Sequence, residues 1–251
     1  EAYWRLWACK EPLDFSPLPE PLRDHYVRSE LILRTQVDHD GAIIAANDTD
    51  ITHFAGDTYS YMWPRDGALC SHALILAGHS ELSRRFLRFC ADVIEPEGYF
   101  LHKYNPTKTL ASSWHPWLKD GRSSLPIQQD ETALVTWVVR RHFNVFRDVE
   151  FVRELHRDLV TMPAEWIMEF RDHNGLPQAS WDLWEERHGV HLFTVATCIG
   201  ALEAARDFAE DFGAADEAAR YRAAAEQMRA AMIEHMWNEQ AGHFARMVTL
   251  Q

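Results

Sequence analysis

Ser180-Trp181-Asp182-Leu183-Trp184-Glu185-Glu186-Arg187-His188-Gly189-Val190-His191-Leu192-Phe193-Thr194 places three carboxylates and two tryptophans within six positions. A helical apolar pattern starts directly after it. Leu192, Val195, Ile199, Leu202, Ala205, Ala209 and Phe212 recur at i, i+3 and i+7, and Gly213 supplies a C-terminal stop. The same period predicts further helices over residues 20–37, 68–77, 81–93, 129–146, 148–170 and 214–237, with Ser80 as a cap for the third. Residues 42–50 hold at most a short strand, and residues 242–244 begin one more element. No segment alternates convincingly, so the chain reads as all-α with about seven helices. Pro12, Pro17, Pro19 and Pro21 mark residues 1–19 as an irregular lead-in to a single helical domain over residues 20–251.

Composition narrows the partners. A net charge of −13 without a basic run argues against nucleic acid and anionic membrane. No apolar run reaches the roughly 18 residues of a membrane span. Cys9, Cys70, Cys90 and Cys198 are scattered, as expected for four buried free thiols in a reducing, cytoplasmic setting. The 14 histidines show no metal-ligand spacing, so neither metal nor cofactor is expected. The first residues lack the order of a signal peptide, and no initiator Met is present, which suggests a start inside a longer protein.

The order of the loops carries the functional argument. Successive helices joined by short connections run antiparallel. Counted from residue 20, the Trp63/Asp66 loop precedes the second helix, the Trp114/Asp130 loop the fourth, and the Asp182/Glu186 loop the sixth. All three then fall at one end of the bundle. Aromatic rings beside acids suit a sugar: rings stack on the apolar face of a pyranose, and carboxyls bind hydroxyls or exchange protons. Arg65-Asp66 can clamp adjacent hydroxyls or form a salt bridge at a helix start. Tyr59, Tyr61 and Trp63 can stack on a ring or fill core. Glu131 sits in a helix's first turn, where an acid is favoured without any function. Glu185 and Glu186 are adjacent and point apart, and a carboxyl packed among Trp181 and Trp184 suits a general acid.

The Tyr59-x-Tyr61-x-Trp63-Pro64-Arg65-Asp66-Gly67-Ala68 run, the Trp-rich loop near Trp114 and Asp182-Leu183-Trp184-Glu185-Glu186 together resemble glycoside hydrolase family 15, the glucoamylase and glucodextranase family. Their order and spacing fit over residues 26 to 236. The resemblance implies an (α/α)6 toroid, incomplete here at about seven of twelve helices. It also implies exo-acting, inverting release of glucose from the non-reducing end of α-linked oligo- or polysaccharides. By position Glu185 matches the general acid, Arg65 and Asp66 the grip on the terminal glucose, and Tyr59 the ring under the scissile sugar. Trp63 and Glu186 match further subsite contacts, Trp114 rather than Trp117 the platform, and Asp182 and Trp184 join the substrate-binding set through the same motif. Trehalose or α-1,6-glucan hydrolysis shares the terminal-glucose site, and a non-catalytic sugar-binding module is the reading from another class. An inverting hydrolase also needs a base about 6.5–9.5 Å from the acid. The family carries it in later helices, so the missing C-terminal half of the toroid is the expected partner.

Overall fold

The computed structural model describes residues 2–10, 14–47, 58–114, 116–119 and 121–249. Pro12 of the lead-in, Asp57 and the end of the 42–50 segment lie outside the described residues. Nine helices occur among those described: α1 Ala2–Ala8, α2 Glu20–Gln36, α3 Pro64–Leu76, α4 Ser80–Val93, α5 Gln129–Phe146, α6 Val149–His156, α7 Met162–Glu169, α8 Leu192–Asp211 and α9 Ala215–Met236. A π-helical turn over Arg157–Thr161 joins α6 to α7, so the two form one long rod. Short pairs of strands fill the connections: β1 Leu118–Lys119 with β2 Arg122–Ser123, β3 Ser180–Trp181 with β4 His188–His191 and β7 Met247–Val248, and β5 Trp237–Asn238 with β6 His243–Phe244.

The helices form two layers. Helices α3, α5 and α8 lie side by side as an inner row, with α4 against α3, α7 against α5 and α8, and α9 along α8. Phe86, Phe89, Val135, Val138, Leu202 and Phe208, each 0% exposed, fill the space between the layers. Burial of each such side chain stabilises the fold by about 1.5–3 kcal/mol before its ordering entropy is subtracted. Gly67 is required by this packing: a Cβ there would stand 2.3 Å from the Phe86 ring, so only glycine lets α3 lie this close to α4.

The π turn has a local cause. Pro163 lacks the N–H that would return to the Leu159 carbonyl in a continuous helix. Thr136 of α5 supplies the donor instead, its Oγ1 bonding to the Leu159 carbonyl at 2.9 Å. A sequence proline is thus converted into a cross-layer tie.

Four expectations change. The lead-in is not irregular throughout: Ala2–Ala8 is helical, and Trp7 stacks on His79 with ring centroids 4.0 Å apart. Ser80 does not cap α4; it is the first helical residue, after His79. Strands do occur, at two to four residues each, too short for alternation to register. Cys9, just past the end of α1, is exposed rather than buried, whereas Cys90 and Cys198 are buried. Among the described residues no helix is long and apolar enough to cross a membrane.

Candidate active site

The N-terminal ends of α3, α5 and α8 meet at one end of the inner row. Arg65 of α3 contacts Asp130 and Glu131 of α5, and Thr194 of α8 donates to Asp130 at 3.3 Å. The loops ahead of these helices therefore converge, as the alternating order requires.

The turn that carries Glu185 is built by Asp182. Pairing of Ser180 with Gly189 and Trp181 with His188 leaves residues 182–187 to reverse the chain. Asp182 Oδ1 accepts the backbone N–H of Glu186 at 2.8 Å and of Arg187 at 3.2 Å, and the Asp182 carbonyl accepts the N–H of Glu185 at 2.8 Å. Arg246 donates to Asp182 Oδ2 at 2.8 Å from beside β7. Burial alone would raise the Asp182 carboxyl, but the two backbone N–H groups, with His191 and Arg246, bring it below the usual range. At 3% exposure it anchors the turn from within. The turn sets Glu185 at φ 56°, a left-handed conformation that costs a non-glycine residue about 1–3 kcal/mol.

The Glu185 side chain is 9% exposed, and its Oε1 lies 2.7 Å from His102 Nε2. His102 was not among the residues picked from the sequence. It sits in the long segment between α4 and α5, which has no period to give it away. Its Nδ1 lies 3.1 Å from Gln128 Oε1, and the Trp63 indole N–H donates to its Nε2 at 3.2 Å. Of the two rings expected to frame Glu185, Trp184 on the turn is 70% exposed, and Trp181 on β3 packs edge-on to His188. Glu186 is exposed on the same turn.

Arg65 is committed to the interior. Its NH1 donates to Gln128 Oε1 at 2.8 Å and Asp130 Oδ2 at 2.9 Å, and lies 2.9 Å from Glu131 Oε1. The Arg65 backbone N–H bonds to Glu131 Oε2. Burial pushes the Glu131 carboxyl well up, with the Arg65 guanidinium opposing and Asp130 reinforcing. Asp66, whose side chain is 51% exposed and 3.5 Å from Arg65 NH2, is the half of the pair that faces solvent.

Aromatic rings form one wall of the site. Tyr59 and Trp114 are about half exposed, with centroids 5.0 Å apart, and both pack against buried Trp63. Lys103 Nζ stands 3.4 Å from the Trp114 centroid and 4.6 Å from that of Tyr61, a cation–π contact that braces both rings. Trp117 is buried beside His102, with centroids 5.3 Å apart. Of the two candidate platforms, Trp114 is the one that presents a face. Among the described residues no group of three or more metal-ligating side chains is placed to hold an ion.

A family model for glycosyl hydrolases family 15 matches residues 145–249, which include the Glu185 turn. An uncharacterized glycosyl hydrolase of Methanocaldococcus jannaschii is 25% identical over 222 residues, 88% of this chain and 32% of that protein. A probable glucoamylase of Schizosaccharomyces pombe is 29% identical over 199 residues, 72% of this chain and 40% of that protein. The chain therefore spans 32–40% of the length of these curated relatives. Among solved structures, a bacterial glucoamylase complexed with acarbose superimposes with TM-score 0.68 at 22% identity, over 90% of this chain and 31% of that one. A Saccharomycopsis fibuligera glucoamylase gives TM-score 0.63 at 18% identity, over 83% of this chain and 46% of that one. The inner and outer rows are thus part of an (α/α)6 toroid. Family model, relatives and fold point the same way: residues 145–249 match the family 15 model, and the chain is similar to glucoamylases.

Proposed function

We propose that this chain forms the acid-bearing part of an exo-acting, inverting α-glucosidase, with Glu185 as general acid. The observation that carries the reading is the Glu185 carboxyl, 9% exposed and hydrogen-bonded to His102, on a strained turn beside the Tyr59/Trp63/Trp114 wall. A shielded carboxyl next to a sugar-stacking surface is the arrangement a protonating acid needs. Asp66 and the guanidinium behind it would hold the terminal glucose, and Tyr59 and Trp114 would stack on the sugars. Acarbose in the bacterial glucoamylase, to which this fold is similar, supports an α-linked glucose oligo- or polysaccharide as ligand.

The base is assigned outside these residues. Glu131 is 0% exposed and faces Arg65, and Asp182 is 3% exposed with its oxygens on the turn and Arg246. Both carboxyls are engaged inside the fold, so neither is proposed as the base. The helices that complete the toroid would supply it, and would cover apolar side chains such as Leu22 and Ile32 of α2, now 50% and 53% exposed. Buried free thiols at Cys90 and Cys198 are compatible with a reducing compartment and so with a cytoplasmic location.

The test is glucose release from maltose, isomaltose, trehalose and soluble starch by the full-length polypeptide, its Glu185→Gln variant and the 251-residue chain. The full-length protein should act, with the preferred substrate fixing the linkage, and the variant should lose at least about 10³-fold in kcat. The 251-residue chain should be inactive. Unchanged turnover by Glu185→Gln would return the site to a binding role, and activity of the chain alone would place a base within it.

A further inference from the structure

The ring that holds Glu185 is itself oriented by groups whose hydrogen-bonding roles are fixed. Gln128 Oε1 accepts from Arg65 NH1 at 2.8 Å, and Gln128 Nε2 donates to the Asp182 carbonyl at 2.7 Å. A guanidinium can only donate and a main-chain carbonyl can only accept, so the amide fits one way round. Gln128 Oε1 is therefore an acceptor where it meets His102 Nδ1 at 3.1 Å, and Nδ1 must carry the hydrogen. On the opposite side, the Trp63 indole N–H points at His102 Nε2 from 3.2 Å. Indole nitrogen is a donor only. A doubly protonated ring would set N–H against N–H there; a neutral ring presents a lone pair. The same lone pair faces Glu185 Oε1 at 2.7 Å, so the hydrogen in that contact belongs to the carboxyl.

We infer that His102 is a positioning residue that, fixed in its Nδ1–H form by Gln128 and Trp63, keeps Glu185 a neutral carboxylic acid with its proton directed at Nε2. The inference rests on Glu185 being the acid, as proposed above. In the reaction the Glu185 O–H turns from Nε2 to the glycosidic oxygen and gives up its proton there; that oxygen keeps the electron pair of the breaking C–O bond, and Glu185 is left as carboxylate. That carboxylate then faces the Nε2 lone pair, an unfavourable contact that draws a proton back and resets the site. Among the charged groups around the pair, Glu131, 4.0 Å from Nδ1, gathers with Asp130 and Asp66 on Arg65, and burial pushes the Glu131 carboxyl well up; Asp182 below the turn pairs with Arg246, and Lys103 stands over the Trp63 ring at 5.2 Å.

Two measurements on the full-length polypeptide test this. In the unliganded wild type at neutral pH, the His102 ¹⁵N signals should show a protonated Nδ1 and an unprotonated Nε2. An Nε2–H form or an imidazolium would overturn the proposal. His102→Phe removes the acceptor for the acid's proton, so the alkaline limb of kcat/KM should move to lower pH, by about one unit for one hydrogen bond. A limb that moves to higher pH would mean that the wild-type ring is cationic, and a fall in kcat with the limb in place would mean packing alone; either result refutes the inference. Retained turnover in Glu185→Gln would instead remove the acid assignment, while the nitrogen spectrum would still report the state of the ring.

Discussion

Replacing Asp182 should damage the site through its scaffold. The carboxylate accepts two backbone N–H bonds, at 2.8 and 3.2 Å, and an Arg246 bond at 2.8 Å. Bonds to a charged acceptor contribute about 1.5–3 kcal/mol each when buried. Glu186 and Arg187 are exposed, so water can replace part of what their N–H groups lose, and the two bonds together come to about 2–3 kcal/mol. Arg246 is 57% exposed on its side chain and adds under about 1 kcal/mol. Asp182→Ala should therefore cost about 2–4 kcal/mol and lower Tm. Asp182→Asn keeps an oxygen for the two N–H groups and should cost about 1 kcal/mol. The pH dependence has a definite sign. The folded carboxyl titrates below its unfolded value, so its contribution is complete above the unfolded value near ~3.9 and is lost as pH falls through the folded one. The wild-type advantage over Asp182→Asn should shrink on that descent. Thermal unfolding of the three proteins in the full-length polypeptide at pH 7 and pH 3 measures all of this. Equal damage from Asn and Ala would show that charge, not the acceptor, holds the turn, and an unshifted Asp182→Ala would show that the turn stands without it.

Arg65→Met leaves Asp130 and Glu131 without their cation in a buried setting and should destabilise by about 3–5 kcal/mol in chemical denaturation. Sugar affinity should fall with it, and a variant of wild-type stability would refute the buried role of the guanidinium. The two tryptophans should separate cleanly. Trp114→Ala should raise KM for glucan while leaving the unfolding midpoint near wild type, and Trp117→Ala, at 8% exposure, should cost about 3–5 kcal/mol of stability. The reverse pattern would move the platform to Trp117.

The helices were legible because their apolar periods are long; α8 and its Gly213 stop, at φ 79°, appear in the chain as the sequence predicts. Convergence of the three loops was legible for a topological reason, since alternate helix starts in an up-and-down array share one end. Pairings within that end were not. Arg65 reads as a clamp or as a salt bridge beside Asp66, and neither reading shows that Gln128, Asp130 and Glu131, more than 60 residues away, hold its guanidinium. Asp182 reads as one acid in a cluster, and only the register of β3 on β4 shows that it closes the turn under Glu185. His102 left no signal beyond lying in a long aromatic segment between two helices. A period exposes residues that pack against a layer; a residue that acts through two hydrogen bonds of fixed direction has no period to show. The position of the Glu185 carboxyl therefore depends on the residues hardest to read, and the strain of Glu185 at φ 56° is sustained by Asp182 below it and His102 beside it. If either support is removed, the carboxyl is free to leave the wall of rings it was placed against.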